Sequence, residues 1–423
     1  MTPSERSRAT GVGRLARRAG AAMVDQVLSS GTQLLLIVLV ARNADPTTFG
    51  AVSVALIVHG LLMGLVRAGV GEIVLLRCRA NLSAVRREAC SGLFVALLAG
   101  VVSALCLVVV GVSVGGEVGP FLLLMALAAP FVYTQDVLRS VAYGEGRVDQ
   151  AVLVDGVWMV VQVGVSAVLL VAGDATPTGL VLAWVLGAAV AVMTVGPYRR
   201  MWPRPVAVRR WWAEERARSS GFIADFLVSN GMWQAAFLLL GVVMPLDELG
   251  ALRVAIVSVS PLANLMAGVR SLVLANLAGL RNRPALALRR AAQVGACLAA
   301  AGAAYGIALV LLPDRWGAEL FGETWAEAAT LVGIVAVSEV VRLPTFAAID
   351  LVKVLGAPLD LVRTRLTSST GVVTGLLIGG IVAGPPGAAV GTTIGYTLSG
   401  VVWWRRARAL SRHPAARWPA VSI

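Results

Sequence analysis

The chain has 423 residues, of which 58% are hydrophobic and 14% charged, and its mean hydropathy is +0.82. So apolar a composition exceeds what a soluble core of this length buries, which excludes a soluble domain and places the chain in lipid. The formal net charge of +13 is almost wholly arginine, since Lys353 is the one lysine.

A hydrocarbon layer about 30 Å thick is spanned by roughly 20 apolar residues of helix. In chain order, runs of that kind fall at 22–41, 49–76, 91–113, 119–143, 151–172, 177–198, 219–243, 249–276, 291–312, 326–350, 366–384 and 386–403. Lipid offers no partner to stray backbone groups, so continuous runs of this length are helices. The expected fold is an all-α membrane protein of about twelve transmembrane helices.

Basic residues orient the runs. Seven alternate segments (1–21, 77–90, 143–150, 198–218, 279–290, 351–365 and 404–418) hold 29 of the 36. The intervening loops hold only Arg42 and Arg315, with Asp45, Glu117, Asp174, Asp247, Glu248, Asp314, Glu319 and Glu323. Both termini are therefore expected in the cytoplasm of a bacterial inner membrane. The positive charge then faces anionic headgroups, and nucleic acid is not an expected partner.

An internal repeat divides the chain. A shift of 200 residues, without a gap, makes ten positions between 22 and 76 identical, among them Asp25 with Asp225, Ser29 with Ser229, Gly31 with Gly231 and Gly50-Ala51 with Gly250-Ala251. At a shift of 203, Asp136-Val137-Leu138-Arg139 echoes Glu339-Val340-Val341-Arg342. Such self-similarity marks two six-helix lobes. Because six is even, the lobes run in the same direction, related by a pseudo-two-fold axis along the membrane normal. The expected division is an N-terminal lobe over 1–198, a basic interlobe linker over 199–218 with Trp202, Trp211 and Trp212, a C-terminal lobe over 219–404 and a basic tail over 405–423.

Charge inside the membrane costs about 2.5–3.5 kcal/mol per residue on insertion scales, so each such residue needs a reason. Asp136 with Arg139, and Glu339 with Arg342, have the i, i+3 spacing of intrahelical ion pairs. Asp25 and Asp225 begin helices 1 and 7. They read either as carboxylates favoured by the helix dipole or as sites of proton or sodium coupling. His59 reads as a titrating switch or as a hydrogen-bonded core histidine. Pro130, Pro261 and Pro344 interrupt helices 4, 8 and 10. The four cysteines have no metal-ligand or disulfide spacing. No phosphate-binding loop is present, and the two histidines cannot build a zincin site. Neither catalysis, a cofactor nor a metal is expected.

Three motifs carry a resemblance: Asp45-Pro46-Thr47-Thr48-Phe49-Gly50 opening helix 2, Arg139-Ser140-Val141-Ala142-Tyr143-Gly144-Glu145-Gly146-Arg147 closing helix 4, and Leu320-Phe321-Gly322-Glu323-Thr324-Trp325 before helix 10. In their order and positions the chain resembles the polysaccharide flippases of the multidrug/oligosaccharidyl-lipid/polysaccharide exporter superfamily. The resemblance implies two lobes in a V around a central cavity, and a lipid-linked oligosaccharide moved from the inner to the outer leaflet. A monomer is expected, surrounded by membrane lipids and supplied by glycan-assembly enzymes. On that reading Arg67 and Arg270, three positions apart under the 200-residue shift, are the substrate-binding pair. Guanidinium forks suit the oxygens of a polyprenyl pyrophosphate. The local alternative pairs Arg67 with Glu72 or lets it snorkel. A drug or cation antiporter of the same fold is the rival reading, favouring an acidic and aromatic cavity.

Overall fold

The computed structural model describes residues 3–80, 85–205, 208–356 and 358–412; side chains are described for these except 3–19, 22, 79, 80, 263–272, 275 and 358–360. Every regular element among them is helical: α1 (Pro3–Asn43), α2 (Pro46–Val66), α3 (Glu72–Ala80), α4 (Val85–Val114), α5 (Val118–Glu145), α6 (Val148–Val171), α7 (Pro177–Tyr198), α8 (Val208–Phe226), α9 (Met232–Val243), α10 (Leu246–Gly279), α11 (Pro284–Val310), α12 (Asp314–Phe321), α13 (Trp325–Leu355) and α14 (Pro358–Arg412). Single π turns at Arg67–Gly71 and Leu227–Gly231 join α2 to α3 and α8 to α9.

Ten stretches among the described residues are long and apolar enough to cross a membrane. The last of them is two crossings, because non-helical backbone at Ala383 and Gly384 folds α14 back on itself. With α10, a 34-residue helix, this makes the twelve crossings read from the sequence. Valine and leucine exposed along α4 (Leu105 63%, Val109 66%, Val112 71%) mark a lipid-facing side. The repeat is visible in the boundaries: α1 ends at Asn43 and α9 at Val243, while α2 begins at Pro46 and α10 at Leu246. Asp45 caps α2, its Oδ1 accepting the Thr48 N–H at 3.0 Å and its Oδ2 the Thr48 hydroxyl at 2.6 Å. Pro46 at the first helical position costs no hydrogen bond there.

Two compact units divide the chain at Leu227. The segment 199–218, expected as the interlobe linker, lies within the first of these units. Its later part is α8, which packs on the first unit through Trp211, 2% exposed among Val74, Cys78, Val85 and Met201. Arg77 at the end of the second crossing ties it down, reaching Glu88 at 2.7 Å, Glu214 at 3.0 Å and Glu215 at 2.9 Å. The second unit has its own core around Leu277, Ala291, Ala348, Leu351 and Trp403. Residues 413–423 of the basic tail lie outside the described residues.

Candidate functional site: a buried ion-pair cluster in the first unit

Three crossings of the first unit aim charge at one another. On α5, Asp136, Arg139 and Tyr143 recur at helical spacing and share a face. Arg139 reaches across to α1, its Nη2 2.6 Å from Asp25 Oδ2, and to α6, its Nε 3.2 Å from Asp155 Oδ2. The Tyr143 hydroxyl donates to the same Asp25 oxygen at 2.6 Å. Gln135 donates its amide to Asp155 Oδ1 at 2.5 Å. Asp25 is fully buried, and the side chains of Asp155 and Arg139 are 2% and 13% exposed.

A second pair borders this one. Arg67 is the first residue of the π turn, and its guanidinium grips Asp136, with Nε 3.0 Å from Oδ2 and Nη2 2.5 Å from Oδ1. The turn closes by the Glu72 N–H donating to the Arg67 carbonyl. A π turn widens the helix by one residue and occurs often at functional sites. Here Ser219 of α8 donates its hydroxyl to the Gly69 carbonyl at 2.9 Å, satisfying a group in the widened turn.

The cluster is unbalanced. Among the described residues Asp25, Asp136 and Asp155 face two guanidinium groups; Asp25 Oδ1 is buried without a hydrogen bond, and Asp155 Oδ2 meets only the Arg139 Nε of the ion pair. A buried charge is tolerated when it is paired and hydrogen-bonded, and is costly otherwise.

On α2, His59 is 3% exposed and lies between Tyr133 of α5 and Trp184 of α7, its ring centre 5.4 and 5.6 Å from theirs. Neither ring nitrogen has a hydrogen-bond partner among the described residues, so aromatic packing holds it rather than the hydrogen bonds expected of a core histidine.

Placed against the sequence reading, several assignments change. Asp136 and Arg139 do not form the expected intrahelical pair, because each turns to another crossing. Asp25 does not cap a helix, since α1 begins at Pro3, more than five turns before it. Arg67 pairs with Asp136 across the unit rather than with Glu72. The side chain of Arg270 lies outside the described residues. Asp225 is exposed on α8. Glu339 and Arg342 do pair as expected, at 2.7 Å, with Arg342 also over the rings of Phe346 and Tyr396 at 5.3 and 5.7 Å. Tyr143, Gln135 and the central role of Asp155 were not read from the sequence. The available signal was the stripe Asp155, Trp158, Gln162 and Ser166 on α6, polar or amphipathic at helical spacing and buried throughout.

No family model matches the chain, and no curated protein matches it. Solved structures do. The outward-facing conformation of a multidrug resistance MATE family transporter of the MOP superfamily superposes with a TM-score of 0.67 at 12% identity, over 96% of each chain. A variant of the Vibrio cholerae MATE transporter VcmN gives 0.64 at 12% identity, over 96% of this chain and 98% of that one. A MOP superfamily transporter from Pyrococcus furiosus, described as having a binding pocket of reversed polarity, gives 0.65 at 12% identity, over 96% of each. The chain is thus a multi-pass membrane protein with the fold of MOP superfamily transporters.

Proposed function

We propose that this chain is a secondary exporter coupled to a proton or sodium gradient, with Asp25 and Asp155 as the coupling carboxylates. The observation that supports this is the charge imbalance around Arg139. Binding one cation or proton at the Asp25 and Asp155 carboxylates removes the surplus charge, so the occupied and empty states differ in electrostatic energy. A ligand that distinguishes two states shifts their equilibrium, which is the requirement for driving transport. Arg67 and Asp136 neutralise each other beside the cluster and keep the surplus on the Asp25–Asp155 side.

For the cargo, the drug or cation antiporter reading is preferred. It is favoured by the likeness to multidrug MATE transporters and by the acidic surplus beside the Tyr143 ring. A lipid-linked oligosaccharide is the second reading, favoured by the three sequence motifs and by Arg67, whose side chain is 47% exposed although paired. The proposed setting is a bacterial inner membrane with both termini inside.

The two readings separate in proteoliposomes carrying an imposed pH or sodium gradient, assayed in parallel for a cationic dye and for a polyprenyl-pyrophosphate-linked glycan. Dye movement that follows the gradient, and loses that dependence in Asp25→Asn and Asp155→Asn, is the expected result. Gradient-independent dye movement in the unmodified protein overturns the coupling. Movement of the glycan alone, lost in Arg67→Ala, establishes the second reading instead.

A further inference from the structure

The second unit carries a groove of its own between α11, α13 and α14, with a volume of about 490 Å³. Its length is apolar and its mouth is cationic. Leu288, Pro344 and Trp404 wall it, and small residues of α11 at helical spacing (Ala292, Ala296, Ala299) form one side. Gly295 makes the floor: a Cβ there would lie 3.2 Å from the Trp404 ring and 3.5 Å from the Pro344 carbonyl oxygen. Arg289 on α11 and Arg408 on α14 stand at the mouth, both exposed, and neither makes an ion pair among the described residues.

Two unpaired guanidinium groups on neighbouring helices suit the oxygens of a phosphate, which they hold in forked geometry. The positions decide what carries that phosphate. Both arginines belong to ends that the loop charges assign to the inner surface, where anionic headgroups concentrate. From Arg289 to Ala299 is ten residues, about 15 Å of helix, or half of a hydrocarbon layer roughly 30 Å thick. The groove therefore runs from headgroup level to the middle of the bilayer, the length of one leaflet.

We propose that this groove binds an anionic phospholipid of the inner leaflet, its phosphate on Arg289 and Arg408 and an acyl chain against Leu288, Trp404 and Pro344. The site stands apart from the transport reading and does not depend on it.

The test uses the full chain in mild detergent, with thermal unfolding followed on addition of phosphatidylglycerol, phosphatidylcholine of the same chains, or inorganic phosphate. Phosphatidylglycerol should raise the unfolding temperature by several degrees, with phosphatidylcholine and phosphate giving little. Arg289→Gln with Arg408→Gln should lose the response to phosphatidylglycerol. Ala296→Phe, which fills the groove and leaves both arginines in place, should lose it as well and carries the test if the double variant does not fold. Retained lipid counted by native mass spectrometry should fall in parallel. Equal responses to the two lipids, an equal response to phosphate, or an undiminished response in Ala296→Phe would overturn the proposal.

Discussion

At the scale of single residues, Arg139 carries the largest expected effect. Among the described residues it is the one cation in contact with both Asp25 and Asp155, and removing one partner of a buried pair typically costs about 3–5 kcal/mol because the remaining charge is stranded. Arg139→Met should therefore unfold at a markedly lower denaturant concentration. Asp25→Asn combined with Arg139→Met should lose less than the two single losses added, as expected for groups that form one energetic unit. Strict additivity, read from unfolding curves of the four proteins in detergent, would remove Asp25 from the pair. Asp45 makes a smaller, pH-dependent contribution. Hydrogen bonds from the Thr48 hydroxyl and then its N–H hold its carboxyl below the ordinary carboxylate range. A group whose folded pKa is depressed stabilises above its unfolded value, about 3.9 for aspartate, and the stabilisation is lost as pH falls through the depressed value. Asp45→Ala should thus cost about 1 kcal/mol near neutrality, with the difference from the unmodified protein closing below about pH 4. A difference unchanged down to pH 3 would show that the cap's charge is not involved.

At the scale of elements, close approach of backbones decides the packing of the last two crossings. Gly375 faces Gly391 and Gly379 faces Gly387 so closely that a Cβ on any of them would overlap the opposite backbone. Without a hydrophobic drive between helices in lipid, such contacts are what hold a hairpin together. Gly391→Val should open the hairpin and lower stability by at least about 2 kcal/mol, in the range of overpacked cores, whereas Gly371→Ala, which meets no neighbour within 4 Å, should be near neutral. A mild effect of Gly391→Val would mean that the hairpin tolerates separation. The clamp on α8 makes a parallel case. Arg77→Gln leaves Glu88 with Arg87 at 3.6 Å and Glu215 with Arg218 at 3.0 Å but cuts the tie from Arg77 to Glu214 and Glu215 of α8, and should raise hydrogen exchange across Val208–Phe226 while α5 stays protected. The twelve crossings and the boundary repeat were legible in the sequence because hydropathy and loop charge act over whole elements. The wiring of the cluster was not. Helical spacing put Asp136 and Arg139 on one face, but their partners come from α1, α6 and the π turn at Arg67. Nothing in local composition announces a turn widened by one residue. The apolar run starting at 22 likewise concealed that the helix holding Asp25 begins at Pro3, since helix formation continues through charged sequence where hydropathy stops.

For the whole molecule, the distribution of charge makes a prediction that neither unit makes alone. The loops at Gly115-Gly116-Glu117 and Asp174 carry no basic residue, while Arg281-Asn282-Arg283 belongs to the basic set. The basic bias of short loops sets orientation, and the parallel repeat expected from the sequence requires every second loop to lie on the same side. Native thiols obscure a labelling test: Cys78 and Cys90 are buried, but Cys106 and Cys297 are exposed on membrane helices. In a background with all four replaced by Ala or Ser, a single cysteine at Gly116→Cys or Asp174→Cys should react with a membrane-impermeant maleimide in intact cells. Asn282→Cys should react only after permeabilisation. The pairing matters because Gly116 and Asp174 belong to the first unit and Asn282 to the second. Labelling of all three from outside would break the parallel repeat. Labelling of Asn282→Cys alone would invert the expected orientation, placing the Asp25–Asp155 cluster in the external rather than the expected cytoplasmic half of the membrane and reversing the gradient that the proposed exporter must use.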